Sequence, residues 1–356
     1  MSRLSNIKFT PLLDTLRLQK ISDAEYFSVS YSDYISNSRL KDINPKQEGS
    51  IQKFLDGMQA HRLFLPSLPL GSAVHEMILQ PEYFELRPEI TSKPSAKAGF
   101  VADEVLSIAV DKRNPTKDEI LRACSVVDYY SGLLTDTQYN NLVEKIMPYI
   151  NDMLNLEHGE KEPIILDVKQ MQTAKLCIEA LENNQKVQEL LHPADCISEN
   201  EQAILLDVNV SLPDLGDIVV RLKSKLDNYT IDKFSNTITV NDIKTHGRTV
   251  DTFDNSMEAF HYMREMGMYS YLLKLCADKF YNIHDPVIKS NFLVVSTIPQ
   301  YYTKVVPMTE ELFKRGFYEF RYLLKLAAVA LYFKNERDAL VYLNEYTVND
   351  CRQFHL

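Results

Sequence analysis

The stretch DIVVRLKSKLDNYTIDKFSNTITVNDIKT, residues 217–245, decides the fold class, because it reads as two strands around a turn. Apolar and polar residues alternate through VVRLKSKLDNY, so successive side chains point to opposite faces. Val220, Leu222 and Leu226 share one face, and Arg221, Lys223, Lys225 and Asp227 share the other, a row of cations ending in a carboxylate. Ser235 and Asn236 supply a turn, after which TITVNDIKT resumes a β-branched alternation. Asp242 and Lys244 are two residues apart and so point to one side of that second strand. A hairpin joining the strands brings Asp227 beside Asp242. Two carboxylates and an amine then converge.

Outward from this pair, AILLDVNVSL (203–212) is a further strand, with Pro213, Asp214 and Gly216 in the turn. NSMEAFHYMREMGMYSYLLKLCADKFY (255–281) has helical period, NFLVVSTIPQ (291–300) is a strand, and 309–333 is a long helix opened by Thr309 with Glu310 and Glu311 in its first turn. Upstream, 1–60 reads as an irregular lead-in followed by short helices, with Ser36, Asn37 and Ser38 as N-cap types. GSAVHEMILQPEYF (71–84) is helical until Pro81, and KPSAKAG (93–99) reads as a loop. Three stretches within 118–191 place apolar residues at steps of three and four and read as scaffold helices. The order predicts an α/β fold, a central mixed β-sheet flanked by helices with a helical N-terminal and middle region. We expect one domain over 1–356: a mainly helical part to 200, the sheet and its helix over 201–308, and C-terminal helices over 309–356.

Composition excludes several classes. The five cysteines are far apart and form no CxxC pair, against a zinc ribbon or disulfide framework and consistent with a reducing interior. Neither GxxxxGK[ST] nor GxGxxG occurs, so no organic cofactor is expected. The first twenty residues do not read as a signal peptide, and no stretch reaches the roughly 18 continuous apolar residues of a membrane span, so a cytoplasmic location and no membrane partner are expected. Net charge is −10. Phosphate affinity depends on where cations sit, however, and Arg221, Lys223, Lys225, Lys233, Lys244 and Arg248 outnumber Asp227, Asp232 and Asp242 across 221–248.

Paired carboxylates beside a lysine suit phosphodiester hydrolysis. Mg²⁺ takes hard oxygen ligands and keeps waters, and it stabilises developing charge while lowering the pKa of a bound water. Lys244 is placed to orient or deprotonate that water and to neutralise charge in the transition state. An Asp-x-Lys triplet alone is common. Its specificity here comes from Asp227 upstream, the β-branched frame and the helix that follows.

With these residues in place, the sequence resembles the PD-(D/E)XK nuclease superfamily, in particular the exodeoxyribonuclease VIII-like phage and prophage exonucleases. It is more distantly similar to lambda exonuclease and RecB-type nuclease domains. The likeness rests on YISNSRL (34–40), GSAVHEMILQPEYF (71–84), KLDNY…VNDIKT and FHYMREMGMY (260–269), in the family's order. It implies a restriction-endonuclease-like core. It also implies a site with His75, Asp227 and Asp242 as metal ligands, the Ile243 carbonyl as a further one, and Lys244 as the catalytic lysine. Imidazole makes Mn²⁺ an attractive substitute for Mg²⁺. The resemblance further implies duplex DNA ends as substrate, DNA recombination or repair as the setting in a bacterial host, a homo-oligomer, and a single-strand annealing recombinase as partner.

The family usually has glutamine where this chain has Glu265, on one helix face with Tyr262 and Tyr269. Glu265 is open to three roles: catalytic metal ligand, partner of Lys244, or partner of Arg264. Lys223, Lys225, Thr245, Arg248, Tyr262 and Tyr269 are candidate DNA contacts, and Glu199 and Glu201 are further acids near the cleft. Two other functions fit the same residues: a structure-specific or nicking endonuclease, and a DNA-binding or regulatory protein on an inactive nuclease scaffold.

Overall fold

The computed structural model describes residues 3–59, 69–83, 91, 93–94, 96–108, 114–130, 134–155 and 166–353. The strands are β1 (Lys8–Pro11), β2 (Arg17–Lys20), β3 (Ile197–Leu212), β4 (Gly216–Asp232), β5 (Thr237–His246), β6 (Val287–Ser296) and β7 (Thr303–Pro307). The principal helices are α1 (Asn37–Lys41), α2 (Ile51–Gln59), α3 (Pro69–Leu79), α4 (Lys97–Ile108), α5 (Lys117–Val126), α6 (Asp136–Asn155), α7 (Val168–Glu182), α8 (Gln185–Leu191), α9 (Phe253–Ala259), α10 (Tyr262–Tyr281), α11 (Glu310–Phe333) and α12 (Glu336–Gln353). The chain forms two compact units, one of Met1–Leu65, Ile78–Gln80 and Cys177–Leu356, the other of Pro66–Met77 and Pro81–Leu176.

The first unit is built on a mixed seven-stranded sheet in the order β1-β3-β4-β5-β6-β7, with β2 also on β3. Every pairing is antiparallel except β5 with β6, which α9 and α10 connect. The α/β expectation and the three central strands hold. Even-numbered Val220, Leu222 and Leu226 are buried, as the alternation required. The sheet's apolar side chains merge with those of α10 and α11 in one core that includes Val240, Phe292, Met266, Leu273 and Phe320. Gly267 and Gly316 let α10 and α11 approach closely, since a Cβ at Gly316 would collide with the Met263 carbonyl.

Several boundaries differ from expectation, each for a local reason. The irregular lead-in contributes β1 and β2, which are four residues each and carry too few positions for an alternation to show. β7 is likewise five residues, held by its pairing with β6. Lys97, assigned to a loop, begins α4. The helical stretch 169–191 breaks before Asn184, whose side chain caps α8. The stretch 255–281 breaks at His261, which adopts a left-handed φ of 56° ahead of α10. Expected caps are in place: Ser36 accepts from the Arg39 N–H, and Thr309 from the Leu312 N–H.

The second unit is helical. Val101, Ala102, Val105, Ile120, Ala123, Leu142, Ile146 and Ile150 of α4, α5 and α6 form its buried cluster. A reciprocal capping box between Thr116 and Glu119 opens α5.

Candidate active site

The sheet opens a fork at its centre. β4 pairs with β5 only from Asn228↔Asn241 to Asp232↔Thr237, whereas β5 stays with β6 from Thr237 to His246. Further along β4, Ile35 takes the vacated edge: its N–H donates to the Arg221 carbonyl at 2.7 Å, and its carbonyl accepts from the Lys223 N–H at 3.0 Å. Asp227 and Asp242 follow the last closed rung, one on each arm. Asp227 Oδ2 accepts from the Ile243 N–H at 2.7 Å and so spans the fork. The N–H and C=O of a strand residue point to the same side, so the Ile243 carbonyl faces this opening as well.

On the other side of β4, Asn200 pairs with Asn228 and Gln202 with Leu226, which puts Glu201 opposite Asp227. Glu201 adopts a left-handed φ of 55°, unusual for a residue within a long strand and typical of strained functional positions. Glu201 and Asp227 offer carboxylate oxygens within 4.8 Å of each other. Glu201, Asp227 and Asp242 thus form one row across β3, β4 and β5.

Asp242 is buried, and its Oδ2 has no hydrogen-bond partner among the described residues. Lys244 Nζ lies 2.7 Å from that oxygen as an ion pair. The same ammonium donates to Glu265 Oε2 at 3.1 Å and sits 4.8 Å above the Tyr262 ring. Tyr269 donates to the other oxygen of Glu265 at 3.1 Å. Of the roles open to Glu265, the structure supplies the partnership with Lys244. Arg264 turns into a separate buried network with Asn37, Gln47 and Glu319.

The electrostatics follow from this crowding. Burial pushes the Asp242 carboxyl up to about 8, with Asp227 and Glu265 adding to the rise and Lys244 opposing it. Burial works against the Lys244 ammonium, but Asp242, Glu265 and Asp227 outweigh it and hold the group well above the ordinary lysine range. Burial and then Glu265 raise Tyr269, and burial raises Tyr262.

The remaining sequence candidates lie as follows. Lys225 Nζ is ion-paired with Glu201 Oε2 at 2.6 Å and with Asp23. Lys223 is buried, donating to the carbonyls of Tyr26 at 2.8 Å and Tyr31 at 2.9 Å. Burial, with Arg39 adding, lowers its ammonium to about 8. Thr245 is half-buried and Arg248 exposed, beyond Lys244 at the end of β5. Tyr262 stacks on Phe253 with ring centroids 5.9 Å apart. His75 is half-buried on α3, within the second unit.

Sequence reasoning missed Asp23, 202 positions before the lysine it pairs with, and no local pattern marks it. Glu201 was visible only as one acid ahead of a strand. Its place in the row depends on long-range register.

The acids supply hard oxygen ligands in a row that includes a buried carboxylate, which fits a divalent cation such as Mg²⁺ or Mn²⁺. No helix among the described residues is long and apolar enough to cross a membrane. No family model and no curated protein matches the chain. Among solved structures it is similar to the crystal structure of a "Putative exonuclease" from Eubacterium rectale, at 9% identity and a TM-score of 0.40, covering 92% of this chain and 88% of that one.

Proposed function

We propose that this chain is a divalent-metal-dependent nuclease that hydrolyses phosphodiester bonds at duplex DNA ends. One observation carries the reading: at the fork, Asp227 reaches across to β5 beside a buried Asp242 oxygen whose partner among the described residues is the Lys244 ammonium. Desolvating a carboxylate is costly even beside an ammonium, and buried carboxylates persist where a cation or a reaction uses them. Asp227, Asp242 and the Ile243 carbonyl would hold Mg²⁺ or Mn²⁺. The sequence resemblance adds His75 to the ligands. A bound ion there supplies a more acidic water and stabilises charge on the phosphoryl oxygens.

The chain's own groups do the rest. Lys244 keeps its proton and faces developing negative charge with a preorganised ammonium. Glu265 and the Tyr262 ring hold that ammonium in place, and Tyr269 holds Glu265. Thr245 near the end of β5 and Arg248 just beyond it are candidate contacts to the phosphodiester backbone. Lys223 and Lys225 are engaged with protein groups, so they support the site's frame more than they contact DNA directly. An oligomeric assembly, a single-strand annealing partner and a phage or prophage setting come from the sequence resemblance and belong to the same proposal.

The test is incubation of purified protein with linear and covalently closed duplex DNA in Mg²⁺, Mn²⁺ or EDTA, beside Asp242→Ala and Lys244→Ala. Linear DNA is expected to be degraded only with metal, closed circles to persist, and both variants to lose nearly all cleavage with unchanged circular dichroism. Full activity in either variant overturns the site. Cleavage of closed circles replaces the exonuclease reading with an endonuclease. Intact DNA throughout leaves the inactive-scaffold reading.

A further inference from the structure

Beside the acidic row runs a ladder of asparagines. Asn200, Asn228, Asn241 and Asn291 are direct cross-strand partners on β3, β4, β5 and β6. Asn291 Nδ2 donates to Asn241 Oδ1 at 3.0 Å, Asn241 Nδ2 to Asn228 Oδ1 at 2.8 Å, and Asn228 Nδ2 to Asn200 Oδ1 at 2.8 Å. The direction is fixed at one end and again within the ladder. Asn200 Nδ2 donates to the Leu79 carbonyl at 3.0 Å and Asn241 Nδ2 to the Leu190 carbonyl at 2.9 Å, and a carbonyl only accepts. The second hydrogen on Asn228 Nδ2 goes to Ser198 Oγ at 3.0 Å. Asn228 and Asn241 are fully buried.

The position of this ladder is what gives it meaning. Its Asn228↔Asn241 rung is the last closed pair before the fork, and each ladder residue on β3, β4 and β5 adjoins one acid: Asn200 with Glu201, Asn228 with Asp227, Asn241 with Asp242. A slip of one residue moves every side chain of a strand to the opposite face. A slip of two residues keeps every side chain on its face, and apolar side chains at these buried positions would discriminate against it weakly, since dispersion contacts carry little direction. Amides meet donor to acceptor only in one register, much as one buried asparagine sets register between coiled-coil helices.

We propose that the four asparagines are positioning residues that lock β3, β4, β5 and β6 in the register at which Glu201, Asp227 and Asp242 form one row. The consequence for cation binding rests on the nuclease reading above, but the positioning itself does not. It is measured without metal by hydrogen exchange at the Ile243 amide, which Asp227 caps across the fork. Asn241→Leu removes the central amide, Asn228→Asp keeps its shape but removes both donors, and Leu206→Ala serves as a core control away from the ladder.

Compared at equal loss of thermal stability, both asparagine variants are expected to speed Ile243 exchange at least tenfold beyond Leu206→Ala. Exchange equal to the control in a folded variant overturns the ladder's role. Asn291→Ala, which deletes only the terminal rung, is expected to give a smaller acceleration, and it supplies the same comparison if the central variants fail to fold. Mn²⁺ titration separates the two readings. Wild type without affinity while Ile243 exchange still responds sinks the metal reading alone; unchanged exchange with Mn²⁺ bound sinks the ladder alone.

Discussion

Two lysines flank the acidic row, and they are built alike and used differently. Lys225 lies two residues before Asp227 on β4, held between Glu201 and Asp23; Lys244 lies two residues after Asp242 on β5, held between Asp242 and Glu265. Their exposures are close, 13% and 17% of the side chain. The difference is in their partners. Asp23 is a half-exposed residue of the short helix Asp23–Tyr26, so Lys225 ties that helix and the strained Glu201 to the sheet. Asp242 is buried with the Lys244 ammonium 2.7 Å from its Oδ2, and Lys244 also lies over an aromatic face. A lysine between two acids is therefore not a site by composition. What marks Lys244 is the burial of its carboxylate neighbour.

The largest separation is expected from removing each amine in turn. Lys244→Ala should lower DNA hydrolysis by about a thousandfold while leaving folding intact, because the ammonium acts on the transition state. Lys225→Met should lower activity less than about tenfold but destabilise the fold by about 1–3 kcal/mol, the scale for leaving a poorly solvated charge unpaired. Turnover and thermal melting of the two variants side by side check this. Equal activity losses would erase the distinction.

A smaller effect tests the residue that departs from the resembled family. Glu265→Ala should cost about ten- to a hundredfold in turnover, since Lys244 and Tyr269 both lose their shared partner. Glu265→Gln keeps an acceptor for Lys244 and should stay within about threefold of wild type, the range of a lost charge at an intact hydrogen bond. Single-turnover kinetics distinguish the two.

The mildest test sharpens the comparison with a third lysine. Lys223 meets carbonyls and the Tyr26 and Phe27 rings, and its burial outweighs the pull of Asp33, so its ammonium is lowered to about 8. Lys225 and Lys244 are instead raised by their acids. With a folded-state value below the unfolded one, the native state binds fewer protons than the unfolded chain from about pH 8 to 10. The Lys223 contribution to stability therefore grows as pH rises through that window. Side-chain NMR should find one lysine titrating near pH 8 and these two well above; a Lys223 shift that moves only with the bulk lysines contradicts it.

How much of this was legible depends on how local the signal is. Asp227, Asp242 and Lys244 were readable because period-two alternation and a tight turn bring them together within 29 residues of chain, 217–245. The Tyr262, Glu265 and Tyr269 face followed from helical spacing: Tyr262 and Glu265 meet Lys244, and Tyr269 meets Glu265. The asparagine ladder was not readable, because it depends on the register of four strands at once. Nor were β1 and β2, whose short segments take their pairing from the long β3. Lys223 shows the limit of alternation: it sits on the polar row as read, yet its head is buried against backbone supplied from residues 26 and 31.

The most direct measurement is Mn²⁺ binding followed by electron paramagnetic resonance, comparing wild type with Asp227→Asn/Asp242→Asn. Wild type should take up the ion, and the double variant should bind at least about a hundredfold more weakly at unchanged fold, as expected when both charged ligands become neutral. Equal uptake by the two proteins would contradict the assignment of the fork as a cation site.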